Sequence, residues 1–395
     1  MHKIAAFMRE RPLEIVSVDL SYNHIGVRGV QILAEEFFHD DNNLRHINLM
    51  QCDIKSAGIK WLATSECLKL ESCRINGNPL GPEAAQWICH LIQECPTLVH
   101  LDIAETDQIL ESIECILIVC ERSTLKYLDI SKIIPLHHYT KYDPSILADN
   151  LAVVLKLNET LLELHMQKCC FDGHDVDLIV SGLAINKYLQ VLDLGYNKMG
   201  DLGIQSIASW LKTRPVLRAL IVPGNYIKEF GARALHFGLP FSRVRYLDMT
   251  DNKINDVGLT FLLDSIKKST QMRLFFIWGN TVGPTSCKRI ERMLESGVFD
   301  QEYIDIKLYT VDGQLYPAYY PSKHYKHKYY CVMDYGCAVE LKIKRNKLPH
   351  PDALPRGLIN MAHVARYPPI DDSLGLKVRK EPICEDEDAP KNENG

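Results

Sequence analysis

The sequence predicts an α/β solenoid, a horseshoe with a parallel inner sheet and outer helices. Three observations predict it. First, one apolar frame closed by asparagine recurs: Leu189, Leu192, Leu194, Asn197, then Leu217, Leu220, Val222, Asn225, then Val244, Leu247, Met249, Asn252, then Met272, Phe275, Ile277, Asn280. Second, the starts step by 28, 27 and 28 residues, a period that belongs to stacked strand-and-helix units. Third, the apolar residues alternate as a half-buried strand does, while residues 199–208 place Met199, Ile204, Ile207 and Ala208 near helical spacing. One such unit cannot bury its apolar face alone, whereas a stack of them buries a continuous core.

The frame extends back almost to the start of the chain. It begins at Ile15, Val18, Leu20 and Asn23. It continues at Leu44 with Cys52 in the asparagine slot, at Leu70 with Asn78, at Leu98 with Thr106, and at Leu125 with Ile133. Isoleucine lacks the hydrogen-bonding groups of an amide, so the fifth turn is expected to be irregular. The sixth frame, Leu161 to Cys169, starts 36 residues after the fifth. An insertion is therefore expected near 135–144. Ten repeats are legible over residues 15–297. Residues 1–14 read as a half-repeat cap, the helix without its strand.

The carriers L-x-x-L-x-L-x-x-N and I/M-G-x-x-G, as in Asn23-His24-Ile25-Gly26 to Gly29 and Asn197-Lys198-Met199-Gly200 to Gly203, resemble the ribonuclease-inhibitor-like class of leucine-rich repeats. That resemblance implies a leucine-rich repeat solenoid whose inner face binds other proteins. It also admits a regulator of a catalytic partner, such as a GTPase activator or an enzyme inhibitor.

Residues 298–344 leave the frame. Val311-Asp312-Gly313-Gln314 places Asp-Gly between β-rich runs, a hairpin signal. A second aromatic run covers 325–332, and Val339, Leu341 and Ile343 alternate as a strand would. These predict a small β-rich C-terminal cap. V-D-G-x-x-Y with H-Y-K-H-K-Y-Y and D-Y-G resembles the end of one member of the repeat family. The resemblance implies a germ-cell or motile-cilium context, there the axoneme with a cytoskeletal or ciliary assembly as partner, or alternatively a nucleolar one. Residues 345–395 hold seven prolines, which predicts an extended tail. It ends near the acidic run Glu385 to Asp388.

A net charge of −5 and 46% apolar content give no sign of bulk attraction to nucleic acid or membrane. Thirteen cysteines, several at core positions such as Cys52, Cys73, Cys89 and Cys169, predict reduced thiols and an intracellular compartment. Residues 1–13 have no apolar signal core.

The chemistry-bearing candidates are few. Asp19, Asp102, Asp129, Asp193 and Asp248 recur between the second and third apolar positions. With no companion base they read as a solvated strand face, or as an acidic strip for a basic partner, rather than as acid–base machinery. His324, His327, Cys331 and Cys337 have metal-ligand types, but their spacing matches no standard finger, and His137-His138 is weaker still. No metal and no cofactor is expected. Lysines 323, 326, 328, 342, 344 and 347 with Arg345 interleave with tyrosines. That mixture could stack bases and neutralise phosphates, which makes an RNA-associated role through the cap an alternative. The favoured reading is a non-enzymatic scaffold for a protein partner. Its candidate contact residues are Tyr196, Ile221, Tyr246, Phe276 and Trp278, expected to point away from the core on the inner face, there either to form a contact patch or to be covered by the C-terminal cap or tail.

Overall fold

An asparagine amide after the strand, at 78, 197, 225, 252 and 280, ties neighbouring repeats together. The computed structural model describes residues 1–38, 41–66, 68–136, 140–268, 272–298 and 300–320. Ten strands form one parallel sheet in chain order. They are β1 Ser17–Asp19, β2 His46–Asn48, β3 Ser72–Arg74, β4 His100–Asp102, β5 Tyr127–Asp129, β6 Glu163–His165, β7 Val191–Asp193, β8 Ala219–Ile221, β9 Tyr246–Asp248 and β10 Leu274–Phe276. A helix follows each strand, from α2 Gly26–Glu36 after β1 to α11 Pro284–Glu295 after β10.

The register reproduces the predicted frame. Val18, Ile47, Cys73, Leu101 and Leu128 lie side by side, followed by Leu164, Leu192, Leu220, Leu247 and Phe275. These side chains meet the buried stripes of the helices in one continuous core. In α8 Gly200–Leu211 that stripe is Ile204, Ile207, Ala208 and Leu211, with Met199 just before the helix. α1 His2–Arg9 precedes the first strand and buries Ala5 and Met8.

Asn252 shows what the slot does. Its Nδ2 donates to the carbonyls of Val222, 2.9 Å away, and Met249, 3.0 Å away, on successive repeats. Its Oδ1 accepts from the N–H of Asn225 at 2.9 Å and of Ile227 at 3.1 Å. A second constraint was not read from the sequence. The residue before the slot has positive φ in every one of the ten turns: Tyr22, Gln51, Gly77, Glu105, Lys132, Lys168, Tyr196, Gly224, Asp251 and Gly279. At Gly279 a side chain is excluded outright, since a Cβ there would overlap the Asp251 carboxylate and lie 2.8 Å from its backbone nitrogen.

The fifth turn corrects the expectation of irregularity. Lys132 has φ 48°, like its counterparts, and Ile133 is wholly buried. The left-handed residue and the strand ladder set the turn, and the slot then accepts hydrocarbon as well as an amide. The chain runs from Asp129 to Pro144 between β5 and α6 Pro144–Leu157, the longest strand-to-helix connection around the sheet. His137 and His138 lie outside the described residues.

The solenoid ends on an antiparallel hairpin, β11 Ile306–Val311 and β12 Gln314–Tyr319. Asp312 and Gly313 both have positive φ, 50° and 75°, as a two-residue hairpin turn of the primed kind requires. The expected strands at 325–332 and 339–343, and the tail, lie outside the described residues. Just before β11, the Asp305 carboxylate accepts from Ile277 N–H at 2.9 Å and Trp278 N–H at 3.0 Å. It thereby covers amides at the last edge of the sheet.

Two stability effects follow. Asn252→Ala leaves buried groups of two repeats without partners and is expected to cost about 2–4 kcal/mol, read as a lower denaturant midpoint. Asp305→Ala is expected to cost about 2–3 kcal/mol in the same measurement, with Asp305→Asn intermediate.

Candidate functional site

The side chains that flank the core row point to the inner face, and the register sorts them into two rows. One row runs Ser17, His46, Ser72, His100, Tyr127, Glu163, Val191, Ala219, Tyr246, Leu274. The other runs Asp19, Asn48, Arg74, Asp102, Asp129, His165, Asp193, Ile221, Asp248, Phe276. The face is thus divided. From β1 to β7 it is mostly polar and charged, and from β7 to β10 it is mostly apolar.

The recurring aspartates have a local cause. Asp19, Asp102, Asp129, Asp193 and Asp248 each accept, at Oδ1, the N–H two residues on, over 2.7–3.0 Å. This short loop ends the strand and starts the turn. Oδ2 is left for the inner face. The expectation of a solvated strip is corrected, because Asp102, Asp193 and Asp248 are buried.

The charged half centres on His165. Its Nδ1 lies 3.0 Å from Asp193 Oδ2 and its Nε2 lies 3.6 Å from Glu163 Oε2. Gln167 Nε2 donates to the same Asp193 oxygen at 2.6 Å. Burial works hardest against a charge on this imidazole, yet the hydrogen bond to Asp193 and the nearby Glu163 and Asp129 carboxylates together lift its pKa to about 10. Glu163 is pushed up by burial and held back by His165. Asp102 is pushed well up by burial and by the Asp129 charge, with Arg74 opposing at 3.8 Å. His100, 2.8 Å from Ser72 Oγ, is pushed far down by burial and by the charge of Arg74, which keeps it neutral.

The apolar half is a separate cluster of Val191, Ala219, Ile221, Tyr246, Leu274 and Phe276, with Tyr303 packed against it. Tyr246 and Phe276 meet edge to face, ring centroids 5.6 Å apart. The five candidate contact residues therefore separate. Ile221, Tyr246 and Phe276 come together on the inner face as predicted, but they are buried rather than exposed. Each packs against inner-face side chains of its neighbouring strands. Trp278, expected to point away from the core, instead lies half-buried beyond the strand and packs against the main core, its ring 5.6 Å from that of Tyr319. Tyr196 occupies a turn with φ 56° and is 38% exposed, with Lys168 Nζ 5.7 Å from its ring centroid. Glu163, His165 and Arg74 were not singled out from the sequence. Their signal was available as polar residues at inner-face frame positions.

Among the described residues no group of three His, Cys, Asp or Glu could hold a metal ion, and no helix is long and apolar enough to cross a membrane. His324, His327, Cys331, Cys337 and the lysine–tyrosine cluster lie outside the described residues. The core cysteines are thiols in hydrocarbon: burial raises Cys52 to about 11 and Cys169 to about 12.

The family described as Leucine Rich repeat matches residues 15–34, 40–63, 186–208 and 244–263. These matches fall on the repeats just described. The chain carries leucine-rich repeats of this family. Among its relatives, leucine-rich repeat-containing protein 34 of Mus musculus is 26% identical over 185 residues, 46% of this chain and 44% of that protein. Ribonuclease inhibitor of Sus scrofa is 25% identical over 255 residues, 63% of this chain and 54% of that protein. This repeat protein thus spans about half the length of these relatives. A chain in the crystal structure of the Rad7 and Elc1 complex in yeast shares the fold, with a TM-score of 0.50 at 14% identity, over 77% of this chain and 68% of that one.

The His165 cluster makes stability depend on pH. An imidazole with an ordinary pKa near 6.5 is raised to about 10 here. Its contribution is therefore complete below about pH 6.5 and is lost as pH climbs toward about 10. Thermal midpoints are expected to fall by several degrees between about pH 7 and 8.5, before ordinary thiols ionise. His165→Gln is expected to start lower and to flatten that slope.

Proposed function

We propose that this repeat protein is a non-enzymatic scaffold that holds a protein partner along its inner face. The observation that carries the reading is the division of that face: a charged half from β1 to β7 beside an apolar half from β7 to β10. A protein surface carrying basic and apolar groups side by side would match it. The family match and the relatives support protein binding in general. The finer placement, a motile-cilium axoneme with a cytoskeletal assembly as partner, rests on the resemblance to leucine-rich repeat-containing protein 34. Tyr196 and Trp278 are the accessible members of the contact set, while Ile221, Tyr246 and Phe276 form its buried floor. A regulator that reaches into a catalytic partner needs a projecting arginine. The inner-face arginine, Arg74, is instead buried and faces Asp102.

The test is proximity labelling in ciliated cells followed by pull-down with variants. Trp278→Ala with Tyr196→Ala, and separately Asp129→Lys, are expected to lower capture of the principal partner by about tenfold or more, equivalent to ~1.4 kcal/mol. Circular dichroism should stay unchanged. Unchanged capture by both variants would remove the inner face as the binding surface.

A further inference from the structure

The outer face of the stack carries an apolar patch that inner-face binding leaves unused. α9 Glu229–Gly238 and the short turn Leu239–Phe241 after it place Phe230, Phe237 and Phe241 at i, i+7 and i+11, along one side of a helix. All three face water, at 67%, 52% and 58% exposure. Leu202 on α8 and Val257 on α10 Asp256–Lys268 extend the patch sideways, and both are exposed. Leu202, Phe230 and Val257 stand in one row. Each precedes a glycine, Gly203, Gly231 or Gly258, at which the preceding helix leaves little room for a side chain. His236 joins the rings of α9 to α10, its centroid 5.0 Å from that of Phe237 and 5.8 Å from that of Phe261. An exposed aromatic patch of this extent marks a contact surface.

The charges around the patch decide what fits it. The first turns of α8, α9 and α10 hold Asp201, Glu229 and Asp256. Asn255 fixes the Glu229 carboxylate, donating to it at 2.7 Å. Lys228 and Lys253 precede these helices, and Lys253 rests over the Tyr226 ring, 4.6 Å from its centroid. At the opposite end Lys212, Arg214, Arg243 and Lys267 are exposed. Asp264, also near that end, is paired with Arg289. Between the two ends Arg233 is exposed among the rings, its guanidinium 5.8 Å from the Phe261 centroid. The pattern along α9 is close to its own mirror with the charge reversed: Glu229 and Phe230 at one end, Phe241 and Arg243 at the other.

From this self-complementary pattern we infer that the outer face of α8 to α10 is the contact between two copies of this chain. A two-fold axis lying in the interface, along the stacking direction, sets α9 antiparallel on α9 of the second copy. Phe230 then meets Phe241, Glu229 meets Arg243, and Arg233 lies on the Phe237 ring, each pair made twice. Three helices ~10 Å apart and ~18 Å long cover roughly 500 Å² per copy. That buries about 1,000 Å² in all, the size at which specific association begins. The dimer is weak and reversible, and it leaves both inner faces open, so that one assembly holds two partners.

Sedimentation equilibrium of the full chain is expected to show mostly dimer at about 100 µM and mostly monomer at about 1 µM, as suits a contact of this size. Phe230→Glu with Phe237→Glu is expected to leave monomer alone at about 100 µM. The thermal midpoint of that variant should stay unchanged, because both side chains already face water. Glu229→Arg alone and Arg243→Glu alone are each expected to weaken the dimer by about fivefold. The two together in one chain should restore it, since the pairs re-form with their signs exchanged. That rescue belongs to the antiparallel two-fold and to no other arrangement of the two copies. A native chain that is still monomeric at about 100 µM, a dimer that survives the phenylalanine variant, or a double charge variant no tighter than the singles would overturn the inference. So would a monomer whose phenylalanine patch captures a different protein. The inner-face partner should bind the phenylalanine variant as before, so failure of the dimer and failure of the scaffold reading are told apart.

Discussion

Everything in this molecule depends on a turn that reverses the backbone in one residue. At the end of each strand a left-handed residue swings the chain away from the sheet, and the next side chain sits in the core. Where that side chain is asparagine, as at 78, 225 and 252, its amide donates to carbonyls of two successive repeats. Cys52 and Thr106 keep a reduced version, donating to the Leu20 carbonyl at 3.0 Å and the Ile103 carbonyl at 2.7 Å. Each repeat can lean on its neighbours for the groups it cannot satisfy, so the stack holds as a chain of interfaces rather than one central core.

The same turn explains why the inner face is charged. A strand that must end abruptly favours an aspartate at its last position, because the carboxylate catches the N–H two residues on. One oxygen is consumed locally and the other is delivered to the concave side. Charge on that side is therefore a by-product of strand termination. His165 and Arg74 then have clear electrostatic roles, as the cations inserted among carboxylates that the architecture supplies anyway. Where the row turns to Ile221 and Phe276, the face becomes mostly apolar, with Asp248 between them.

The row of second apolar positions, from Val18 to Phe275, was fully legible in the sequence, and so was the hairpin at Asp312-Gly313. Both are governed by local rules: a period of about 28 residues and the backbone needs of a two-residue turn. The left-handed residue before the slot was not legible, since tyrosine, glutamine, lysine, glutamate and aspartate all fill it. The position is defined by geometry and not by residue type. Whether Ile221, Tyr246 and Phe276 are exposed or covered was left open by the sequence. Alternation says which side of the sheet a residue faces, but not whether that side is dry. Glu163 and His165 fell outside the candidate set because their neighbours in space lie about 28 residues away in sequence.

Asp305 gives the stack a direction. Its carboxylate occupies backbone donors that an eleventh strand would use, and the hairpin after it runs antiparallel, so growth by adding further parallel layers is closed at that end. A second molecule cannot continue the sheet there. At that end a neighbouring copy can meet this one only through its faces, so the edge behaves like a finished hem.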